Sequence, residues 1–331
     1  MKAIVMTAVG DSGVLALQEI AEPQISHATD IKVRLYAAGV NPVDTKIRRN
    51  GLLYPNALLP AVLGFDGAGE VVAVGPNADQ FKVGDKVWFC HGGLGREQGN
   101  YAEYTVLDQR WACRMPADLS YVEAAAAPLV LITAFGALFA RGGLQAGQTV
   151  LVQAGAGGVG HVAVQLAKLA GARVITTVSS AEKAEFVKSL GADEAIIYSQ
   201  TDVADAVSQL TSQQGADLVF DTIGGDTFKA SIPLTAYYGR LVTLLEPKAV
   251  DLGEARVRNL LLGFELMLTP MLRDLPAARD RYVAILKQCA KFIDAGKLSI
   301  HVSHVLPLAQ ASTAHDLLEA GHTTGKVVLS I

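Results

Sequence analysis

The spacing of apolar and polar positions changes once along this chain, near residue 125. Before that point, short alternating or apolar runs (Ile31-Lys32-Val33-Arg34-Leu35, Gly69 to Val74, Lys86-Val87-Trp88-Phe89) are separated by glycine, proline and asparagine turns, which predicts a β-rich region. After it, Tyr121 to Arg141 predicts one long alanine-rich helix that includes Pro128. Strands predicted at Thr149–Gln153, Arg173–Val178, Glu194–Tyr198, Leu218–Thr222 and Gly239–Leu245 then alternate with helices at Val159–Ala170, Ala181–Leu190 and Val203–Thr211. That alternation argues for a parallel sheet with helices on both faces. Asp274–Ala295 reads as another helix, and the tail as strand, helix, strand over His301–Leu306, Leu308–Ala320 and Lys326–Ile331. Gly92 to Gly99 reads as a mobile loop, and no internal repeat is present.

Candidate chemistry begins at Gly155-Ala156-Gly157-Gly158-Val159-Gly160. This run follows an apolar strand, opens a helix and is followed by a second strand, the order of a dinucleotide-binding β-turn-α-β unit. Glycines let the backbone turn tightly and approach a pyrophosphate, while free N–H groups at the helix start point at it with the helix dipole behind them. Such folds sort NAD from NADP at the end of the second strand, where an acid bonds the ribose hydroxyls and repels a 2′-phosphate. Here Val178 stands about where the acid is expected, followed by Ser179, Ser180 and Lys183. That pattern favours NADP(H), against the plainer reading that the serines cap the next helix and Lys183 is a surface lysine.

Composition narrows the class. A chain of 331 residues, half of them apolar, can build two domains with sizeable cores. Its net charge of −4 gives no nucleic-acid surface. The start of the chain alternates into a strand rather than a signal peptide, and the longest apolar run, Leu260 to Leu272, contains Glu265 and is too short to span a bilayer. Three cysteines with no C-x-x-C pair fit a reducing, cytoplasmic setting.

Several motifs in order carry a resemblance over essentially the full length. They are Ala38-Gly39-Val40-Asn41-Pro42-Val43-Asp44, Leu63-Gly64-Phe65-Asp66-Gly67-Ala68-Gly69-Glu70-Val71-Val72, Gly84-Asp85-Lys86-Val87, Ala126-Ala127-Pro128 with Thr133-Ala134-Phe135, the glycine turn, and Gly325-Lys326-Val327-Val328-Leu329. The set resembles the zinc-independent quinone oxidoreductase branch of the medium-chain dehydrogenase/reductase superfamily. The resemblance implies an α/β fold, with a doubly wound Rossmann parallel sheet at 126–268 and a GroES-like, mostly β catalytic domain at 1–125 and 269–331. NADPH would lie in the cleft they form. It implies that Asn41 and Pro42 lie beside the nicotinamide, with Thr133 facing its ring or carboxamide. Ala156, Gly157, Gly158, Val159 and Gly160 would hold the pyrophosphate. Ser179, Ser180, Lys183 and Tyr198 would surround the 2′-phosphate. Ile223, Leu245 and Phe264 would flank the adenine, the nicotinamide or the entrance, and Lys326 would return to the cofactor from the tail. Tyr54 matches a pocket tyrosine able to donate to the acceptor oxygen; its plainer reading is a loop aromatic packed on the pocket wall. Asp44 reads as structural.

No metal is expected. In the zinc enzymes of this superfamily a Cys stands in the place of Asn41 and a His in that of Phe65, and the third ligand would fall near Leu129. A catalytic zinc needs three such ligands. Without a Lewis acid, reduction of a quinone or an enone fits better than alcohol oxidation, because conjugation spreads the incoming charge. The rival readings are an enone, enoyl or aldehyde reductase, and a non-catalytic NADPH-binding protein of crystallin-like or sensor type. The apolar edge near Leu260–Leu268 resembles the family's dimer seam, so a homodimer is expected, with no membrane or nucleic-acid partner.

Overall fold

A computed structural model describes residues 1–331. In chain order its elements are β1 (Lys2–Met6), β2 (Leu15–Glu19), β3 (Asp30–Val40), α1 (Pro42–Asn50), β4 (Ala61–Val62), β5 (Asp66–Val74), β6 (Lys86–Cys90), β7 (Tyr104–Asp108), β8 (Cys113–Arg114), α2 (Tyr121–Ala126) and α3 (Pro128–Phe135). Next come β9 (Thr149–Val152), α4 (Gly158–Leu169), β10 (Arg173–Val178), α5 (Ala181–Ser189), β11 (Glu194–Ile197), α6 (Val203–Leu210), β12 (Ala216–Asp221), α7 (Asp226–Leu234), β13 (Thr235–Thr243), α8 (Gly253–Val257) and β14 (Leu261–Phe264). The tail carries α9 (Thr269–Leu272), α10 (Pro276–Asp294), β15 (Val302–Pro307), α11 (Ala311–Ala320) and β16 (Lys326–Ser330). None of the helices is long and apolar enough to cross a membrane.

The chain divides into two compact units. The first contains Met1–Leu129, Leu268–Gly296 and Ile300–Ile331; the second contains Val130–Met267 and Lys297–Ser299. Ser299 belongs with the second because Gln165 holds it by three hydrogen bonds: the amide nitrogen donates to the Ser299 carbonyl, and the amide oxygen accepts from Ser299 N and Oγ.

In the first unit a sheet runs in the order β15-β16-β3-β5-β6-β8, with β7 also on β3, beside a smaller sheet β2-β1-β4. Strand β3 is eleven residues long, well beyond the predicted Ile31–Leu35, because it finds partners along its whole length in β5, β7 and β16. Its inward residues Ile31, Val33 and Leu35 pack with Val71, Val87, Phe89 and Leu107.

The second unit is a parallel sheet in the order β11-β10-β9-β12-β13-β14. This is the doubly wound arrangement, whose ligands sit at the carboxyl ends of the strands. Its core joins Leu151, Ile175, Val219 and Leu241 from the strands to Phe228 and Ile232 from α7. The edge strand β14 is shorter than the predicted Leu260–Leu268, since it pairs only with β13. The long helix expected over Tyr121–Arg141 is three pieces: α2, α3 and a π-helical stretch, Gly136–Arg141. Pro128 has no N–H for the carbonyl of Ala124, so the helix stops and restarts there.

The glycine turn divides its labour. The left-handed backbone lies at Ala154 (φ 54°), not at a glycine. A Cβ on Gly160 would stand 2.2 Å from the Ala154 carbonyl oxygen, and one on Gly155 would stand 2.0 Å from Thr176 Oγ1. A Cβ on Gly157 would meet only the Ala154 oxygen, at 3.3 Å. Gly155 and Gly160 thus serve close packing, and Gly157 is the open position. We expect Gly160→Ala to cost about 1–3 kcal/mol of stability in urea denaturation, as overpacking does. Gly157→Ala should leave the urea midpoint near that of the parent and weaken nucleotide binding instead.

Candidate functional site

The carboxyl ends of the parallel strands collect most of the residues named from sequence. After β9 the chain turns through Ala156 and Gly157 into α4, whose first turn has no side-chain cap, so its N–H groups are left for a ligand. Thr177 Oγ1 fixes the turn, accepting from Ala154 N at 3.0 Å and donating to Gln153 Oε1 at 2.8 Å. Strand β10 ends at Val178, so no acid stands at its tip. Ser180 does cap α5, its Oγ accepting from Lys183 N at 3.3 Å, and Ser199 Oγ donates to the Ser179 carbonyl. Tyr198, which follows β11, is 53% exposed. Asp221, buried at the end of β12, accepts from Ile223 N and Gly224 N and from Thr243 Oγ1, which shapes the Ile223 corner. Leu245 lies against that corner, where a Cβ on Gly224 would come within 2.7 Å of it. Phe264 ends β14 and is exposed. Ala156–Gly160, Ser179, Ser180, Lys183, Tyr198, Ile223, Leu245 and Phe264 therefore share one edge of one sheet. Thr133 is buried on α3 in the same unit.

The first unit holds a second, fully buried polar cluster. Asn41 ends the β3 run and begins α1, and its backbone N–H donates to Asp44 Oδ2 at 2.8 Å. Asn41 Nδ2 donates to Asp66 Oδ2 at 2.9 Å, and the Leu129 N–H donates to Asp66 Oδ1 at 2.8 Å. Lys326 is not a solvated lysine: it is 3% exposed, and Nζ donates to the Val40 carbonyl at 3.0 Å and to Asn41 Oδ1. Tyr101 OH donates to Asp44 Oδ2 at 3.0 Å and lies 3.3 Å from His315 Nε2, whose Nδ1 faces Arg48. Burial pushes the Asp44 carboxyl up to about 7 and Asp66 up to about 6, and pushes the Lys326 ammonium down. The cluster couples an ammonium to two carboxylates that titrate near neutrality.

Pro42 opens α1 at its first position, the place where a missing N–H costs nothing. Tyr54 has a hydrogen-bond partner within its own unit. Its hydroxyl donates to the Met271 carbonyl at 2.7 Å, and the Arg96 guanidinium lies 4.7 Å from its ring while pairing with Asp274. Hydroxyl and ring together hold the Tyr54 loop to the segment around Met271 and Asp274. The residues near Asn41 do not fit a metal either: Phe65 is buried and apolar, the Lys326 ammonium occupies the Asn41 oxygen, and no three His, Cys, Asp or Glu side chains could hold an ion. Sequence reasoning named Asn41 and Lys326 but not their mutual bond. It passed over Asp66, Tyr101 and His315 as partners, although Asp66 stands in a quoted motif; Tyr101 and His315 are 214 positions apart and leave no local signal.

Comparison with known proteins gives the family. Residues 27–117 match the family model described as alcohol dehydrogenase GroES-like domain, and residues 190–329 match that described as zinc-binding dehydrogenase. The chain is 35% identical to a quinone oxidoreductase of Pseudomonas aeruginosa, covering 99% of both chains. It is 32% identical to a chloroplastic NADPH-dependent alkenal/one oxidoreductase of Arabidopsis thaliana, covering 99% of this chain and 79% of that one. It superposes with a TM-score of 0.89 on the Escherichia coli quinone oxidoreductase complexed with NADPH, at 28% identity and full coverage of both chains.

If the Tyr54 hydroxyl ties a loop, Tyr54→Phe loses about 1 kcal/mol of stability, the net worth of one hydrogen bond. Its kcat should stay within a few-fold of the parent. A far larger loss of kcat with unchanged stability would return the hydroxyl to the chemistry.

Proposed function

The chain belongs to the medium-chain dehydrogenase/reductase superfamily, in its zinc-independent quinone oxidoreductase branch, and from that premise we propose that it carries hydride from NADPH to a quinone without a metal. The observation that carries the cofactor half is the acid-free tip of β10, followed by Ser179, Ser180 and Lys183, on the strand next to β9, which leads into the uncapped start of α4. When bound, NADPH supplies the hydride. The residues of the second unit hold its phosphates: Ala156–Gly160 the pyrophosphate, and Ser179, Ser180, Lys183 and Tyr198 the 2′-phosphate. Ile223, Leu245, Phe264 and Thr133 supply its apolar and amide contacts, and Asn41 and Pro42 meet the nicotinamide. One hydride and one proton turn a quinone into a hydroquinone. With Tyr54 engaged, water is the proton source we favour, since conjugation already spreads the charge. Enones remain the second reading, supported by the alkenal/one oxidoreductase relative.

We further infer that the chain pairs with a second copy along β14. Leu261 and Phe264 on the last strand of the sheet, and Leu266 just after it, are 60%, 55% and 53% exposed, and a bare apolar edge is a liability unless paired. Light scattering at micromolar concentration should report a dimer, and Leu261→Lys should shift it toward monomer.

Lys183→Ala should weaken NADPH binding about ten- to a hundredfold, the worth of one charge-assisted bond to phosphate, while barely changing NADH binding. Equal losses for both nucleotides would remove the assignment. NADPH oxidation over a panel of quinones, enals and aldehydes tests the acceptor. Tight NADPH binding with no turnover on any of them would favour a non-catalytic, sensor-like protein.

A further inference from the structure

We propose that Lys326 is a positioning residue for hydride transfer, the fixed internal cation that sets the orientation of the Asn41 amide and the Asp66 carboxylate. The backbone places it there. Strand β16 runs antiparallel to β3 with Val327 opposite Val40, so Lys326 arrives level with the bend into α1. Gly325 precedes it at φ 65°, where a Cβ would stand 2.3 Å from the His301 carbonyl oxygen. The Lys326 N–H donates to that same oxygen at 3.0 Å.

The ammonium then decides which way Asn41 points. An ammonium only donates, so it must face the amide oxygen; the amide nitrogen is thereby turned onto Asp66. A flipped amide would set N–H groups against the ammonium and an oxygen against a carboxylate. The groups facing this cation come from every element around it: Asp44 on α1, Asp66 on β5 and Cys90 on β6, with Tyr101 one step further out on Asp44. Cys90 also contacts the Asp66 carboxylate. Carboxylate, amide oxygen and carbonyl oxygen form a donor set for a cation, and the protein fills it with its own. A buried ion pair is no more stable in general than a neutral pair of the same shape. Its fixed charge beside the Asn41–Pro42 bend is the property a neutral pair lacks.

The inference rests on the hydride-transfer reading, so its tests include one that needs no turnover. Lys326→Ala should lower kcat about a hundredfold, with KM for NADPH changed far less. Methylammonium or ethylammonium should restore part of that loss, and tetramethylammonium, which cannot donate, should not. Lys326→Met/Asp66→Asn removes both charges; it should recover the parent melting temperature yet remain slow. The pH profile of kcat/KM should fall on the acid side as Asp66 protonates, and move to higher pH in Lys326→Met. Infrared spectroscopy of the apo-protein, with Asp66→Asn as control, should show the carboxyl protonated at higher pH in Lys326→Met. A fast double variant, a Lys326→Ala enzyme at parent rate, or an unmoved carboxyl band would each overturn the proposal. No turnover by the parent on any acceptor, with the carboxyl band moved as expected, would instead sink the hydride-transfer reading and leave the electrostatic role standing.

Discussion

An ammonium with almost no solvent must be surrounded by acceptors, and that requirement organises the first unit. Lys326 is matched by Val40, Asn41 and the carboxylates beyond them, which forces β3, β5 and β16 to converge at one point. The convergence leaves no room for side chains. A Cβ on Gly39 would stand 2.3 Å from the Ala125 carbonyl oxygen and 3.0 Å from Asp66 Cβ. The Ala38-Gly39-Val40-Asn41 motif therefore serves packing and polarity together: glycine admits the neighbouring backbone, and the amide two residues on bridges cation to anion.

Asp66 shows how burial and pairing compete. Loss of water raises its carboxyl, while Lys326, Asn41 and the Leu129 N–H all favour its charged form. The balance leaves it near neutrality, close to Asp44, whose Oδ1 has no partner. A buried carboxylate with a bare oxygen is costly, and Tyr101 donates to the other Asp44 oxygen while its own oxygen accepts from His315 Nε2, the tautomer fixed by Arg48 donating to Nδ1. Such a cluster is rigid in geometry and adjustable in charge.

The second unit depends on a different constraint. Helix α4 can start against β9 only if Gly155 clears Thr176 and Gly160 clears the Ala154 oxygen. With those two positions spent on packing, Gly157 and the uncapped N–H groups remain open. This is how a pattern in six letters folds into a strand, a tight turn and an uncapped helix start, with the left-handed residue at Ala154 rather than at a glycine. The strand order β11-β10-β9-β12-β13-β14 then brings residues from Ala156 to Phe264, more than a hundred positions apart, to a single edge. Periodicity could announce the strands; the edge they share comes from their pairing order.

Local patterns in the chain determined what local physics controls: the alternating texture before residue 125, the strand–turn–helix of the glycine run, the cap at Ser180 and the absence of an acid at Val178. Each depends on neighbours within a few positions, where backbone geometry and hydrogen bonding act. Tertiary structure alone decided the charge partners. Lys326 meets Asn41 across 285 positions and Tyr101 meets His315 across 214. A lysine or a histidine reads the same on the surface as in a core, because what distinguishes them is the dielectric and the partner supplied by distant strands.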